Sequence, residues 1–154
     1  MTKIRSEAAL YELHRAELVR FAAAVAGTSD AGDVVSDAMV ALLRSGRLAE
    51  ADNPRALMYR AVLIQARSMH RSVFRRRARE RRFAGRLIAE NPELRPDVFV
   101  AVTKLSPQQR ACVYLIYWED LSPNEVAARL GIGEGTVKKY LARARSRLRE
   151  VLDE

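Results

Sequence analysis

The chain has 154 residues, enough for one helical domain or two small ones, and 49% hydrophobic residues suffice to build helical cores. Twenty-seven basic against nineteen acidic side chains leave a net charge of +8, which favours a polyanionic partner over an acidic small substrate. No apolar run approaches the roughly 20 residues of a membrane span and the N-terminus lacks a signal-peptide core, so a cytoplasmic protein without membrane insertion is expected. Alternating β-branched runs are scarce while Ala, Leu, Arg and Glu dominate, and the expected fold class is all-α, as two small helical domains joined by a linker. The single cysteine, Cys112, excludes an internal disulfide, and its neighbours Ala111 and Val113 predict a small core residue.

Glu7 to Val25 places Leu10, Leu13, Leu18, Phe21, Ala22 and Val25 on one helical stripe that Gly27 ends. Asp30 is positioned to cap a second helix, with Val34, Val35, Ala38, Met39, Leu42 and Leu43 predicted inward until Ser45-Gly46 stops it. Asp33 and Asp37 stand one turn apart on its outer side. No histidine, third carboxylate or glycine loop is nearby to complete a metal or acid-base site, so a solvated or partner-facing acidic patch is the reading. After a loop from Arg47 to Asp52, Asn53-Pro54 opens a long helix whose inward face is predicted as Leu57, Ala61, Ile64, Ser68 and Met69. From Arg67 to Arg82 the chain carries eight arginines against one glutamate. Residues 1–83 accordingly hold +7 of the net charge, whereas residues 98–154 hold +2. The N-terminal part has the larger electrostatic footprint.

Asn91-Pro92 and Arg95-Pro96 are poor helix continuations and mark 84–97 as a linker, dividing the chain into domains at 1–83 and 98–154. In the second domain Ser106-Pro107-Gln108-Gln109 is a capping box, and Val113, Tyr114, Ile116 and Tyr117 predict a mostly buried helix. Tyr114, Tyr117 and Trp118 are candidate base-stacking platforms, but their interleaving with Leu115 and Ile116 favours core packing. Sixteen residues on, Ser122, Pro123 and Glu125 repeat the capping logic, with Leu121 and Val126 as a hydrophobic staple. Gly131-Ile132-Gly133 then supplies a left-handed stop, an apolar plug and a restart. The next helix keeps Val137, Leu141, Ala144, Leu148 and Leu152 in line, leaving Thr136, Lys138, Lys139, Tyr140 and Arg143 near its start. Short helix, glycine turn and basic helix in this order are the arrangement of a helix-turn-helix; the alternative is a helical hairpin whose arginines are a solvated face.

These residues resemble the extracytoplasmic-function group of sigma-70-type sigma factors over nearly the whole chain. Leu105-Ser106-Pro107 through Arg149, including GIGEGTVKKYLARARSRL, is similar to sigma region 4. DAGDVVSDAMVALL, SGRLAEADNPRALMYR and the arginine-rich helix that follows are similar to region 2. The hairpin alone is met in other regulators; the pairing of both regions across one short linker carries the resemblance. It implies an RNA polymerase sigma factor that binds core RNA polymerase, through its beta-prime and beta subunits, and promoter DNA. Region 4 would dock Glu134, Gly135, Thr136, Lys138, Lys139, Tyr140 and Arg143 on the −35 element. Region 2 would grip core polymerase through the helix bearing Asp30, Asp33 and Asp37. It would hold the melted −10 strand with Arg47, Asn53, Arg55, Tyr59, Arg60, Arg67, His70 and Arg71. Where family members often carry an asparagine and, four residues later, an aspartate, this chain has Ile64 and Ser68, so base capture falls to the loop or follows another preference. Tyr59 is the one aromatic early in that helix.

Enzymatic readings lack parts. His14 and His70 have no cysteine or carboxylate at ligand spacing, so no metal or cofactor is expected. Gly131, Gly133 and Gly135 mimic half a phosphate loop, but no Gly-Lys-Ser/Thr follows and no strand precedes. Two other readings stay open: a dimeric helix-turn-helix regulator of duplex DNA, and a sigma mimic that sequesters an anti-sigma factor. With five residues after Arg149, no C-terminal sensing domain is expected, and control passes to a partner such as an anti-sigma factor.

Overall fold

The structure, a computed structural model, describes residues 2–73 and 101–153; the arginine run from Arg75 to Arg82 and the linker at 84–97 lie outside the described residues. The described residues form six α-helices and one 3-10 turn: α1 (Thr2–Ala26), α2 (Ala31–Ser45), the turn (Leu48–Glu50), α3 (Pro54–Val73), α4 (Pro107–Tyr117), α5 (Pro123–Leu130) and α6 (Glu134–Leu152). No strand occurs among them, as the composition predicts.

The breaks between helices follow from backbone chemistry. Gly46 ends α2 in the left-handed region at φ 69°, and Gly131 ends α5 at φ 65°, a conformation that costs residues with a Cβ about 1–2 kcal/mol. Asn53 caps α3, its Oδ1 accepting from the Ala56 amide at 3.1 Å. Both Ser-Pro starts form complete capping boxes: Ser106 Oγ accepts from Gln109 N–H and Ser122 Oγ from Glu125 N–H, while each partner side chain accepts from the cap's own N–H. Replacing Ser106 by alanine is expected to cost about 1 kcal/mol, read as a lowered urea midpoint with an unchanged slope. Asp30 departs from expectation, because it precedes α2 in a helical conformation and its side chain makes no cap hydrogen bond.

Helices α1, α2 and α3 pack mutually, α4, α5 and α6 pack mutually, and the two groups share one core. Phe21 is fully buried, with its ring 4.7 Å from Tyr59 and 6.3 Å from Tyr114, and so joins α1, α3 and α4. Cys112 is buried beside Ala111 and Val113, and burial pushes its thiol up to about 12, leaving it inert at neutral pH.

Five predicted faces need correction. On α1, Leu13 is 72% exposed; on α2, Leu43 points outward; on α6, Leu152 is exposed. On α3 the inward residues are Met58, Tyr59, Val62 and Ala66, so Leu57 and Ala61 are only half-buried and Ile64 and Ser68 face out. The helix offers two apolar stripes about one residue apart, and contact with α1, α2 and the C-terminal helices selects the one that carries Met58 and Val62. At the end of α4, Tyr114 packs inward while Tyr117 and Trp118 are exposed, against the expectation that they would all be core.

Candidate nucleic-acid interface

The helix-turn-helix is built from α5, the glycine turn and α6. Leu130 and Val126 bury on one side and Val137, Leu141 and Ala144 on the other, and Ile132 N–H reaches back to the Ala127 carbonyl at 3.0 Å to close the turn. Burying that stripe turns Thr136, Lys138, Lys139 and Arg143 out to solvent, with Tyr140 half-buried beside them. Glu134 heads α6, where the helix dipole favours a carboxylate, and it pairs with Lys138 at 3.4 Å one turn on. A Cβ added at Gly135 would meet nothing within 4 Å, so the first turn of α6 is open to a close approach. Arg145 donates to the Tyr117 hydroxyl at 3.2 Å and is thereby directed toward α4 instead of outward along α6.

On α2, Asp33, Asp37, Val40 and Arg44 are exposed at spacings of four, three and four, so they form one line along the helix; Asp30 is half-buried at its head. Among the described residues no group of three or more His, Cys, Asp or Glu side chains is placed to hold a metal ion. No described helix is long and apolar enough to cross a membrane.

The third cluster lies on α3 and the loop before it. An open groove of about 480 Å³ is lined by Arg47, Asp52, Asn53, Ala56, Arg60 and Gly131. Arg47 and Arg71 are exposed, and His70 is half-buried. Arg55 points instead at α1, donating through Nε to Glu17 Oε1 at 2.6 Å and through Nη2 to Oε2 at 2.9 Å. Burial alone would raise the Glu17 pKa, but the bonds from Arg55 and Tyr59 outweigh it and hold the carboxyl below its ordinary 4.5. A depressed carboxylate stabilises the fold above its unfolded pKa, and that contribution is lost as pH falls below 4.5. Glu17→Gln should therefore flatten the acid limb of the thermal midpoint between about pH 6 and 3.5. The effect is less than about 1 kcal/mol because Arg55 is partly exposed.

Tyr59 is not presented to solvent. It is 2% exposed, and burial, with the Glu17 carboxylate beside it, pushes its hydroxyl up to about 12. Its outer neighbour is Arg129 of α5, whose guanidinium lies 5.3 Å from the ring centre and donates to the hydroxyl at 3.5 Å. Asn53 Nδ2 donates to the Ala128 carbonyl at 3.5 Å. With its amide oxygen turned inward, Gln108 of α4 accepts from Arg67 Nε at 2.7 Å. Glu17 and Arg129 have no sequence signal; they matter only because α1 and α5 meet α3.

The family description "Sigma-70, region 4" matches residues 98–148. The chain is 51% identical over 53 residues to the RNA polymerase sigma-E factor of Streptomyces antibioticus, covering 34% of this chain and 29% of that one. It is 54% identical over 48 residues to that of Streptomyces coelicolor, covering 31% of this chain and 27% of the relative. The chain thus spans under a third of the length of these relatives in the matched segment. Among solved structures it is similar to the sigma factor RpoE from Bartonella quintana, crystallised with the anti-sigma factor NepR. That likeness has a TM-score of 0.52 and 25% identity, over 93% of this chain and 94% of that one. Residues 98–148 are thus similar to region 4 of sigma-70-type sigma factors, and the fold along the chain is similar to that of a sigma factor. Its likeness is to the extracytoplasmic-function group, as the residues suggest. The region 4 match includes both capping boxes, the Gly131 turn and α6 through Leu148.

Proposed function

We propose that this chain is an RNA polymerase sigma factor that directs promoter-specific initiation, acting in the cytoplasm as a binding subunit and not as an enzyme. The observation that carries the proposal is the region 4 helix-turn-helix, its basic second helix free on one side, set behind an N-terminal helical unit in a fold shared with a sigma factor along 93% of the chain. In this reading residues 98–154 bind the −35 element through Glu134, Gly135, Thr136, Lys138, Lys139, Tyr140 and Arg143. Most of these contacts fix position on phosphates, and those reaching base edges confer sequence choice. Residues 1–83 bind the beta-prime subunit of core polymerase through the acidic line of Asp30, Asp33 and Asp37. They hold the melted −10 strand with the loop from Arg47 and the basic residues of α3. The structural neighbour's complex with NepR supports an anti-sigma factor as a further partner.

Run-off transcription with purified core polymerase is the test. A promoter-dependent transcript is expected; no transcript from any genomic fragment, together with no core binding, would sink the proposal. The second reading, a sigma mimic that titrates an anti-sigma factor, is favoured by one observation: Ile64 is 59% exposed at a position where the family often presents an asparagine, and it offers no hydrogen bond to a base. Tight anti-sigma binding with no DNA affinity at low salt would select it.

A further inference from the structure

We propose that Ile64 is a specificity-determining residue, which reads an unpaired strand along α3 through the C5-methyl group of thymine and not through hydrogen bonds. The inference rests on the sigma-factor reading and deepens it, by naming the base that the melted strand must offer.

Three observations carry it. From Pro54 to Arg71 the exposed residues of α3 are Arg60, Ile64, Arg67, Ser68 and Arg71. Ile64, 59% exposed, is thus a large apolar side chain set among three cations, and α3 contains no aspartate or glutamate to balance them. Arg67 bonds Gln108 through Nε and Nη2, and a guanidinium with five N–H donors has others to give. The second observation is the order of these residues around the helix. At about 100° per residue, Arg60, Arg67 and Arg71 fall about 20–60° to one side of Ile64, while half-buried Leu57 and Ala61 fall about 20–60° to the other. The face has a cationic edge and an apolar edge, with Ile64 between them. A single strand has the same two edges, phosphates on one side and unstacked bases on the other, whereas a duplex turns its bases inward. The match is to a melted strand laid along α3 with its phosphates on the arginines. The third observation is extent. Arg60 to Arg71 spans about 17 Å at 1.5 Å per residue, the length of about five nucleotides at 3.4 Å each. The groove lined by Arg47 and Asn53 also includes Leu57 and Arg60, so the apolar edge opens directly into it. Chemistry then names the base. Ile64 has no donor or acceptor and gains only from apolar area, and among the DNA bases thymine alone carries a methyl group on its edge. An amino or carbonyl group held against Ile64 loses water without gaining a partner. Ser68, one turn on, donates or accepts and so favours no base.

The test is fluorescence anisotropy with the full chain assembled on core polymerase and labelled single strands of about 12 nucleotides. Oligothymidylate and oligodeoxyuridylate differ only in the methyl group. The preference of the wild type for thymidylate should fall about three- to fivefold in Ile64→Ala, the worth of one methyl group taken out of water. Stacking within each strand is common to both proteins and cancels in that comparison. Methylating oligodeoxycytidylate at C5 should tighten binding by a similar factor with isoleucine and leave it unchanged with alanine. Arg67→Ala, in contrast, should weaken every strand equally and flatten the salt dependence by about 0.7 on a log-log scale, with the preference for methyl intact. Because Ile64 is exposed, Ile64→Ala should keep the urea midpoint of the wild type. A preference that survives Ile64→Ala, or 5-methylcytosine bound no better than cytosine by the wild type, would overturn the inference and leave the sigma reading standing. Binding to none of the strands at low salt, with no promoter-dependent transcript, would instead overturn the sigma reading beneath it.

Discussion

Replacing Lys139 and Arg143 together by alanine should abolish −35 recognition while leaving binding to core polymerase at the wild-type level. Both side chains are exposed on α6, away from Val137, Leu141 and Ala144, so removing them empties no part of the core and the fold should stand. Each cation that neutralises a phosphate steepens the salt dependence of binding by about one unit on a log-log scale, and losing two should flatten that slope by about two. Footprinting a −35 duplex with the holoenzyme at several salt concentrations reads both the affinity and the slope. The complementary variant, Asp33→Lys with Asp37→Lys, reverses charge on the exposed line of α2 and should abolish core binding while α6 keeps its affinity for a −35 duplex. Similar losses in both assays from either variant would refute this division of labour.

Phe21→Ala should produce the largest loss of stability. The side chain is fully buried and its ring meets Tyr59 and Tyr114, so truncation removes apolar burial and two aromatic contacts and leaves a cavity where α1, α3 and α4 meet. Such truncations cost about 3–5 kcal/mol, which is a large share of the roughly 5–15 kcal/mol that holds a domain of this size. Urea unfolding followed by circular dichroism should show the midpoint fall. Because Phe21 bridges both helix groups, the C-terminal group should separate at lower denaturant than the N-terminal one, splitting a single transition into two. A cost below about 1 kcal/mol would show that the ring is not the keystone its contacts indicate.

Much of this molecule was legible in the sequence where local chemistry decides the outcome. Ser106 and Ser122 with their third-position partners, Asn53 before Pro54, and glycines at 46 and 131 each fix a helix end by bonds within a few residues, and all are found in place. The orientation of α3 was not legible. Leu57, Ala61 and Ile64 form as good an apolar stripe as Met58, Val62 and Ala66, and the choice between them is made by helices distant in the chain. The same choice buries Tyr59, which periodicity had left available, and presents Ile64. Asp30 sits at a helix start but bonds nothing there, because its helical backbone conformation aims the carboxylate away from the orphan amides. The contact between the two helix groups had no sequence signature. Asn53, Tyr59 and Arg67 read as free ligands for a strand until α4 and α5 are laid against them.

The exposed end of α4 sets a limit on optical work with this protein. Trp118 is the sole tryptophan and stands 53% in solvent beside Tyr117, which itself bonds Arg145. Its indole is already hydrated in the folded chain, so the colour of its emission should hardly change when the helices melt. Intrinsic fluorescence will therefore be nearly blind to denaturation, yet well suited to reporting a macromolecule that settles over the tip of α4 and takes that ring out of water.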